Sequence, residues 1–402
     1  MRFKYKRNPI LLFMMVKHSL WAVLFLLLSS YDLLSQQFQF DKFGDGIRIT
    51  AKDSSFYTKF SFRFQTLYQG RQEIGTTNWN ENFLIRRSRL KFDGYVLNPK
   101  IAYKVELGIS NRDTRSGSIE QNGSTANIIL DAVIKWNFVG NWYLWAGQTK
   151  LPGNRERVIS SQALQFVDRS LVNSRFTLDR DVGIQLRHKF RINNFEFRQA
   201  FAISTGDGRN VIASNPKSGR QFTGRLEFLP FGKFKNKGDY FGSDLMREEN
   251  PKLSIGITGD YNNNAVRSRG NLGQYLYDSL GNYRSSDLTT LMIDGILKYR
   301  GLSVSSEYVH RTSPKIIDGF GYGSGLMGSA GYLFPSNLEI ALRHTRIDPH
   351  FNESSLSQMR EYTLGLSKYI NQHNFKVQSD FSYLSISTKD FLVFRVQCEL
   401  SI

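Results

Sequence analysis

The feature that most constrains this chain is a period-two alternation of apolar and polar residues, which recurs in runs of about ten from residue 55 onward. In the last run, Phe394, Val396 and Cys398 alternate with Arg395 and Gln397. Successive side chains of a strand point to opposite sides, so each run has one apolar and one polar face. No helical periodicity of useful length competes with this pattern. An all-β protein is therefore predicted.

The connections between the runs alternate between short and long. The short ones lie near Leu97–Lys100, Val139–Asn141, Lys189–Asn194, Arg300–Gly301, Phe334–Asn337 and Ile370–Asn374. The long ones lie near 70–83, 110–127, 150–181, 204–220, 261–287, 310–323 and 346–358. Short turns at one end and long loops at the other are typical of outer-membrane barrels. We predict a transmembrane antiparallel β-barrel of about 16 strands, with short periplasmic turns and long extracellular loops. The connection 230–251 is the exception, because it is long where a short turn is expected.

Aromatic residues cluster beside the short turns, where a membrane–water interface would lie. They are Trp136, Phe138, Trp142, Phe190, Tyr299, Tyr332, Phe334 and Tyr369. Amphipathic rings prefer this interface, so we interpret the cluster as the periplasmic aromatic girdle of the barrel.

Composition agrees with a barrel and disfavours other classes. The mean hydropathy of −0.37 is too low for a bundle of transmembrane helices. The single Cys398 leaves no disulfide framework. The net charge is +18, but the cations are dispersed along the chain rather than gathered in a tail or a helix. Nucleic acid is therefore not an expected partner.

The N-terminus has the features of an export signal. The segment 19–28, SLWAVLFLLL, is an apolar core of signal length, preceded by Lys17 and His18. It is too short to cross a bilayer. Translation from Met15 would give a signal of ordinary length. An uncleaved anchor helix, broken at Lys17 and His18, is the alternative.

Three segments follow from these patterns. Residues 1–35 are predicted to be a cleaved signal peptide, 36–54 an N-terminal periplasmic segment and 55–402 the barrel. The predicted location is the outer membrane of a Gram-negative bacterium, where the chain would cross the lipid many times.

The segment 83–109, FLIRRSRLKFDGYVLNPKIAYKVELGI, contains an unusual row of cations. Its alternation places Arg87, Arg89 and Lys91 on the polar face. In a barrel that face lines the lumen, so these three side chains are expected to point inward. Arg86 has the opposite parity and is expected at the outer rim, near anionic lipid headgroups.

The same parity assigns fourteen cations and twelve acids to the lumen wall, which is nearly balanced as a whole. The cations are Lys59, Arg63, Arg87, Arg89, Lys91, Lys104, Lys135, Arg187, Arg198, Arg225, Lys298, Arg343, Lys376 and Arg395. The acids are Asp93, Glu106, Asp131, Glu196, Glu227, Asp260, Asp294, Glu307, Glu339, Glu361, Asp380 and Glu399. The excess is local to the first two strands. Because basic side chains favour anions in a pore, an anion path is predicted along Arg63, Arg87, Arg89 and Lys91.

The third long connection, 150–181, is too long and too apolar for a plain surface loop. Its central residues include Ile159, Leu164 and Phe166. A loop with its own apolar content and no lipid to face should fold inward, so it is predicted to form a constriction in the lumen. Its cations are Lys150, Arg155, Arg157, Arg169, Arg175 and Arg180.

Three stretches together carry a family resemblance. RRSRLKFDGYVLNPKIAYKVELG, then WAGQTKLPGNRE, then LQFVDRSLVNSRF with the following DRDVGIQL, resemble the phosphate-selective porin O and P family over about residues 55–190. The family implies a barrel of about 16 strands, usually a homotrimer, with an inward third loop and basic residues lining the pore. The resemblance thus implies a water-filled channel, surrounded by outer-membrane lipids, for passive diffusion of small anions such as phosphate or polyphosphate.

Other functions stay open. The near-balanced wall would also suit a general, weakly selective porin, and long loops would suit a structural or adhesive outer-membrane protein. A barrel enzyme is a further alternative, because His350 is close in sequence to Asp348 and Ser354. Spacing alone is poor evidence for a triad, and no Cys/His cluster suggests a metal site. No catalytic residue, metal or cofactor is predicted.

Overall fold

The computed structural model describes residues 37–39, 42–114, 127–211 and 219–402, and the predicted signal peptide lies outside them. The described strands are β1 (Gln37–Gln39), β2 (Ile47–Thr50), β3 (Phe56–Glu73), β4 (Trp79–Val96), β5 (Asn98–Gly108), β6 (Ile129–Val139), β7 (Trp142–Lys150), β8 (Arg180–Ile192), β9 (Phe195–Ser204), β10 (Gln221–Leu229), β11 (Lys252–Ala265), β12 (Ser286–Tyr299), β13 (Leu302–Thr312), β14 (Gly323–Leu333), β15 (Leu338–Pro349), β16 (Met359–Asn371), β17 (Phe375–Ile386) and β18 (Lys389–Ser401). The described helices are short: Asn111–Thr114, Arg155–Val158, Leu171–Phe176 and the 3₁₀-helix Lys235–Tyr240. Over the part of the chain that is described, none has the length and apolar character needed to cross a membrane.

The strands from β3 to β18 form one closed antiparallel barrel. Each strand pairs with its successor, and β18 closes the barrel by pairing with β3. The prediction of an antiparallel barrel of about 16 strands is confirmed. The two short strands, β1 and β2, are not part of the closed ring. They pair with each other, and β2 also pairs with the first residues of β3.

The two ends of the barrel differ in their connections. At the turn end the strands are joined by 97, 140–141, 193–194, 230–251, 300–301, 334–337 and 372–374. At the loop end they are joined by 74–78, 109–128, 151–179, 205–220, 266–285, 313–322, 350–358 and 387–388. The predicted asymmetry is present with three exceptions: 230–251 is long at the turn end, and 74–78 and 387–388 are short at the loop end.

The long loop predicted at 70–83 is wrong. The structure extends β3 and β4 almost to the tip of this hairpin and leaves only 74–78 between them. The indole of Trp79 covers Gly70, and its Nε1 donates a hydrogen bond to the Tyr68 hydroxyl at 3.2 Å. Cross-strand contacts of this kind stabilise the paired strands of a hairpin. Polar composition alone was therefore not sufficient evidence for a loop.

The apolar face of each strand points outward and the polar face points inward. On β15 and β16, Leu342 and Leu364 are more than half exposed, whereas Arg343 and Thr363 are buried. This reverses the arrangement of a soluble sandwich, and it suits a wall with lipid outside and polar groups inside.

A β-bulge changes the predicted position of Arg86. Gln65 of β3 pairs with Arg87, and Thr66 pairs with Ile85, so Arg86 is the extra residue. At a bulge two residues oppose one, and the alternation shifts by one position. Arg86 therefore lies inside the barrel, only 1% exposed, and its expected place at the outer rim is wrong.

The girdle prediction needs one correction. Trp136, Phe138 and Tyr332 are exposed, as expected for residues at an interface. Tyr369 is 1% exposed and lies inside the barrel, where its hydroxyl donates to a carboxylate oxygen of Glu339 at 2.7 Å. Tyr369 has the parity of lumen-facing residues of β16, so proximity to a turn was the weaker indicator.

Two segments fill part of the interior. The loop 151–179 folds inward from the loop end, and its Val172 and Phe176 pack in one apolar cluster with Met292 and Met327 of the wall. The connection 230–251, here called the turn-end connection, enters from the opposite end.

The two segments meet inside the barrel. Phe241 of the turn-end connection packs against Ile159, Ala163 and Leu164 of the loop. The backbone N–H of Gly242 donates to the carbonyl oxygen of Ala163 at 2.8 Å. The interior partition is therefore built from both ends of the barrel.

Candidate functional site

A cavity of about 1220 Å³ lies inside the barrel, beside the inward loop. Its lining contains 21 Lys and Arg residues but only seven Asp and Glu residues. The cations are Lys59, Arg63, Arg86, Arg87, Arg89, Lys91, Lys104, Arg112, Lys135, Lys150, Arg157, Arg169, Arg180, Arg187, Lys189, Arg198, Arg209, Arg225, Lys237, Arg269 and Arg395. The acids are Glu106, Asp113, Asp131, Asp168, Asp179, Glu227 and Glu361.

The cavity is far more basic than the wall as a whole, whose fourteen cations and twelve acids are nearly balanced. Of the fourteen wall cations predicted from parity, eleven line the cavity, and the exceptions are Lys298, Arg343 and Lys376. Of the twelve predicted acids only four line it: Glu106, Asp131, Glu227 and Glu361. Six of the other acids lie on strands β11 to β18, on the side that the inward segments cover.

Three of these acids, Asp294, Glu307 and Glu339, hold the inward segments in place. Glu307 accepts a hydrogen bond from the backbone N–H of Glu156 at 2.5 Å and one from the amide of Asn154 at 2.8 Å. Glu339 accepts from the amide of Gln165 at 2.8 Å and from the hydroxyl of Ser243 at 2.6 Å. A buried carboxylate needs such donors. The acids thus serve the packing of the partition and are withdrawn from the open cavity.

All four residues of the predicted anion path line the cavity, and each also has a protein partner. Arg63 pairs with Glu399 at 3.1 Å, and Lys91 pairs with Asp93 at 2.5 Å. Their charges are partly compensated by these acids.

The two central arginines of the path differ from each other. Arg89 pairs with Glu106 at 3.0 Å and Asp113 at 2.8 Å. Arg87 donates mainly to the amide oxygen of Gln65, at 2.7 Å, and is 3.4 Å from Asp168. Arg87 therefore keeps more uncompensated charge than Arg89.

Four of the six cations predicted for the constriction line the cavity. Lys150 and Arg180 are the residues at the facing ends of β7 and β8, while Arg157 and Arg169 belong to the loop itself. Arg157 and Arg180 have acidic partners, Asp179 and Asp131.

The other two predicted constriction cations do not line the cavity. Arg155 is 1% exposed, and its guanidinium lies 3.3 Å from Glu227, 3.7 Å from Asp239 and 3.2 Å from Asp294. This ion cluster fastens the loop to β10, to the turn-end connection and to β12. Arg175 points toward the wall, with Nη2 3.7 Å from the Met359 sulfur. Sequence gives no sign of which loop cations become structural.

Several cavity cations are held by neutral acceptors. Lys150 donates to the carbonyl oxygen of Arg157 at 2.9 Å. Arg169 donates to the carbonyl oxygens of Glu156 and Ile159, both at 2.8 Å. Burial lowers the pKa of Arg169 to about 10, so its guanidinium stays charged at neutral pH. A carbonyl orients a cation without cancelling its charge, so the Arg169 guanidinium remains able to attract an anion.

Trp145 holds two further cations and was missed by the sequence analysis. The Lys135 ammonium is 4.3 Å, and the Arg187 guanidinium 4.1 Å, from the centre of its indole ring. Arg187 also donates to the amide oxygen of Gln185 at 2.7 Å. Cations are attracted to the ring face of tryptophan without being neutralised. The alternation along β7 places Trp145 on the lumen-facing side, so the sequence pattern could have identified it as a residue of the site.

Eleven of the cavity cations form ion pairs with acids, such as Arg63 with Glu399. The other ten have no acid within 4.0 Å among the described residues. They are Lys59, Arg112, Lys135, Lys150, Arg169, Arg187, Lys189, Arg209, Lys237 and Arg269. Uncompensated cations along a water-filled passage raise the local concentration of anions.

The possible catalytic grouping does not form. His350 contacts the hydroxyl of Ser324 at 3.0 Å, whereas the hydroxyl of Ser354 donates to the carbonyl oxygen of Tyr322 at 2.7 Å. Asp348 pairs with Arg346 at 2.7 Å. Within the described ranges, no three His, Cys, Asp or Glu side chains are grouped so that they could hold a metal ion.

A closed antiparallel barrel with polar groups inside and an inward loop beside a cavity has the architecture of an outer-membrane porin. Residues 59–249 match the family model described as phosphate-selective porin O and P. The family resemblance inferred from the sequence is thus confirmed over this segment, which contains strands β4 to β10 and most of the turn-end connection. None of the curated proteins compared with the chain matches it.

Solved structures of outer-membrane proteins share the fold. The anion-selective porin from Comamonas acidovorans is 12% identical, with a TM-score of 0.54, covering 86% of this chain and 99% of that one. The outer membrane channel DcaP of Acinetobacter baumannii is 11% identical, with a TM-score of 0.55, covering 88% and 99%. OmpT of Vibrio cholerae, lacking loop L8, is 11% identical, with a TM-score of 0.55, covering 87% and 100%.

Proposed function

We propose that this porin conducts small anions, phosphate-like ones in particular, by passive diffusion. The observation that carries the proposal is the cavity lining, in which Lys and Arg outnumber Asp and Glu by 21 to seven. The phosphate selectivity for which the family is named, and the anion selectivity of the porin from Comamonas acidovorans, point in the same direction.

The proposed path joins cations that are held by neutral acceptors. Arg87, Arg169 and Lys150 are each held by amide or carbonyl oxygens. A guanidinium offers a planar set of donors that suits phosphate oxygens, and an ammonium offers a point charge. Several sites of moderate affinity allow an anion to move on, whereas one tight site would trap it.

Location and assembly are part of the proposal. The turn end would face the periplasm, and the segment 36–54 would lie there after export by a cleaved signal at 1–35. The pairing of β2 with the beginning of β3 supports this, because β3 begins at the turn end. A homotrimer is proposed because the family usually forms one and because OmpT of Vibrio cholerae was solved in a trimer form.

A general, weakly selective porin is the second candidate. Its support is the number of cavity cations that already have acidic partners, of which Arg89 with Glu106 and Asp113 is the clearest. A purely structural barrel has less support, since it would not need a basic cavity. The fold and family favour a channel over an enzyme, and no catalytic group is assigned.

The test is the reversal potential of single channels in a planar bilayer under a KCl gradient, repeated with phosphate added. Anion preference with block of the chloride current by phosphate is the expected result. A reversal potential near zero without block would favour the general porin.

A further inference from the structure

Two arginines lie side by side on the outer surface of the barrel, near its loop end. Arg346 of β15 and Arg360 of β16 are directly opposite each other in the register of the two strands, and both are exposed. Residues in such positions have Cβ atoms about 4.5–5.5 Å apart, and two like charges there destabilise a sheet. A bound anion between the two side chains would offset this repulsion.

The depth of these arginines in the membrane follows from the outward face of β16. On this face Tyr362, Leu364 and Leu366, each about half exposed, separate Arg360 from a second cation at the turn end. That cation is Lys368, eight residues from Arg360, or about 27 Å along the strand. A strand tilt of about 40° reduces this to about 21 Å across the membrane, close to the apolar band of about 25 Å. The two cations therefore lie at opposite edges of the apolar band.

An aromatic pair lies next to the arginines, on the side toward the middle of the membrane. His344 and Tyr362 are opposite each other in the register, and their rings stack with centres 4.4 Å apart. The next outward pair is Leu342 with Leu364. From the middle of the membrane outward, the order is thus aliphatic, aromatic and cationic. Tyrosine rings prefer the membrane–water interface, so the arginines lie at the level of the lipid headgroups.

Only one of the two arginines has an acidic partner among the described residues. Nε of Arg346 is 2.7 Å from one carboxylate oxygen of Asp348, and the amide of Gln358 donates to the other oxygen at 3.4 Å. No described acid lies within 4.0 Å of the Arg360 guanidinium. Asp390 is two strands from Arg360, about 10 Å away at the usual strand spacing. Two guanidinium groups therefore share one carboxylate, and the pair keeps a net positive charge.

We propose that Arg346 and Arg360 bind a phosphate group of an outer-leaflet lipid, namely lipid A, the phosphorylated glycolipid of that leaflet. A guanidinium presents a planar set of donors that matches phosphate oxygens, and two of them side by side can contact one phosphate. The depth favours a lipid over a free anion, because the acyl chains of a lipid hold its phosphate at this level. A cation near anionic headgroups, which the sequence suggested for Arg86, is thus supplied by this pair.

The inference depends on one part of the proposed function, the orientation with the loop end facing outward. It does not depend on anion conduction, since neither arginine lines the cavity.

The test is the dissociation constant of lipid A for the purified protein in detergent, measured by native mass spectrometry. Lipid A without its phosphates is measured beside it and should bind more weakly. Arg360→Gln should raise the dissociation constant of lipid A about fivefold, the usual contribution of one basic residue near an anionic lipid surface. Arg346→Gln should have at least as large an effect, because it also leaves Asp348 without its cation. Arg360→Lys should keep part of the affinity, because the charge remains but the planar donors are lost.

Lys368→Gln is the matched control. It removes an exposed outward cation from the same strand at the opposite edge of the membrane, where Lys368 donates to the carbonyl oxygen of Ser336 at 2.7 Å. The affinity for lipid A should not change. Equal losses for Lys368→Gln and Arg360→Gln would overturn the site, because any cation on the outer surface would then suffice.

Two further results would contradict a lipid-phosphate site. One is equal binding of lipid A and its dephosphorylated form to the unchanged protein. The other is displacement of lipid A by inorganic phosphate at constant ionic strength, which would show that the site takes a free anion. Reversal potentials keep this inference apart from conduction, because Arg360→Gln should have the anion preference of the unchanged protein.

Discussion

Arg86, the extra residue of the bulge in β4, places its Nη2 2.5 Å from one carboxylate oxygen of Asp168 and 2.6 Å from the other. Asp168 belongs to the inward loop, and its carbonyl oxygen accepts a further hydrogen bond from Arg343 at 2.8 Å. The neighbouring arginines hold the pKa of Asp168 well below its usual value, although burial opposes them. A local irregularity in one strand therefore fastens the loop that fills part of the lumen.

Replacing Asp168 with asparagine should loosen the inward loop. Removing one partner of a buried ion pair leaves the other charge uncompensated, and the expected loss is on the order of 3 kcal/mol in the free energy of unfolding. The single-channel conductance should rise and become noisier, because the loop is held less firmly. Urea unfolding in detergent and bilayer recording measure the two effects.

Asp93→Asn is the control for this variant. Asp93 pairs with Lys91, but both side chains are about one-third exposed, at 34% and 39%. Exposed pairs contribute about 0–1 kcal/mol, so stability should hardly change. Equal losses for the two variants would mean that Asp168 does not fasten the loop.

Replacing Arg187 with glutamine should weaken anion preference without weakening the barrel. Its guanidinium has no acidic partner among the described residues, so its removal leaves no buried carboxylate unpaired. The anion-to-cation permeability ratio from reversal potentials should fall about two- to fourfold at low salt.

Arg346→Gln provides the comparison for Arg187→Gln. Arg346 is 48% exposed, pairs with Asp348 and does not line the cavity. Its replacement should leave the permeability ratio unchanged. A similar ratio for both variants would mean that Arg187 does not contribute to the anion preference.

Replacing Trp145 with leucine should reduce the affinity for phosphate even though no charge is lost. The indole orients Lys135 and Arg187, and each cation–π contact contributes about 0.5–1 kcal/mol at an exposed site. The half-blocking phosphate concentration should rise about two- to fivefold. Trp145→Phe keeps an aromatic face and should retain part of the affinity, whereas identical values for both variants would contradict a positioning role.

Replacing Gly242 with alanine should separate the turn-end connection from the inward loop. A Cβ atom there would lie 2.6 Å from the backbone nitrogen of Gln165, so one backbone must move. Overpacking of this kind costs about 1–3 kcal/mol, measurable as a lower free energy of unfolding.

Gly259→Ala tests whether the site of the new methyl group matters. A Cβ atom at Gly259 meets nothing within 4 Å, so its effect on stability should be near zero. If Gly242→Ala is equally harmless, the contact between the two segments does not stabilise the partition.

Much of the barrel could be predicted from local pattern. The alternation in β18 gave its outward and inward faces, and connection lengths separated the two ends. Predictions failed where a local irregularity changed the parity, as at Arg86, or where proximity to a turn was preferred over parity, as at Tyr369. A bulge depends on how two distant strands pair, and nothing in the residues around Arg86 marks it.

The charge of the candidate site could not be predicted in the same way. Parity assigned Asp294 and Glu307 to the lumen correctly, since both are buried on the inner face. It could not show that Arg155 and Asn154 of the inward loop would bind them. Which acids are covered is decided by contacts more than 130 residues apart in sequence.

The sequence by itself determined the closed barrel, its two faces and the supply of cations, because a strand in lipid must alternate and must pair on both edges. The tertiary structure alone decided which charges remain free. The loop and the turn-end connection fold against β11 to β18, where acids such as Glu307 and Glu339 satisfy their backbone and side-chain donors. Those buried acids accept hydrogen bonds from the inward segments. They are therefore not available to neutralise the cations that line the cavity.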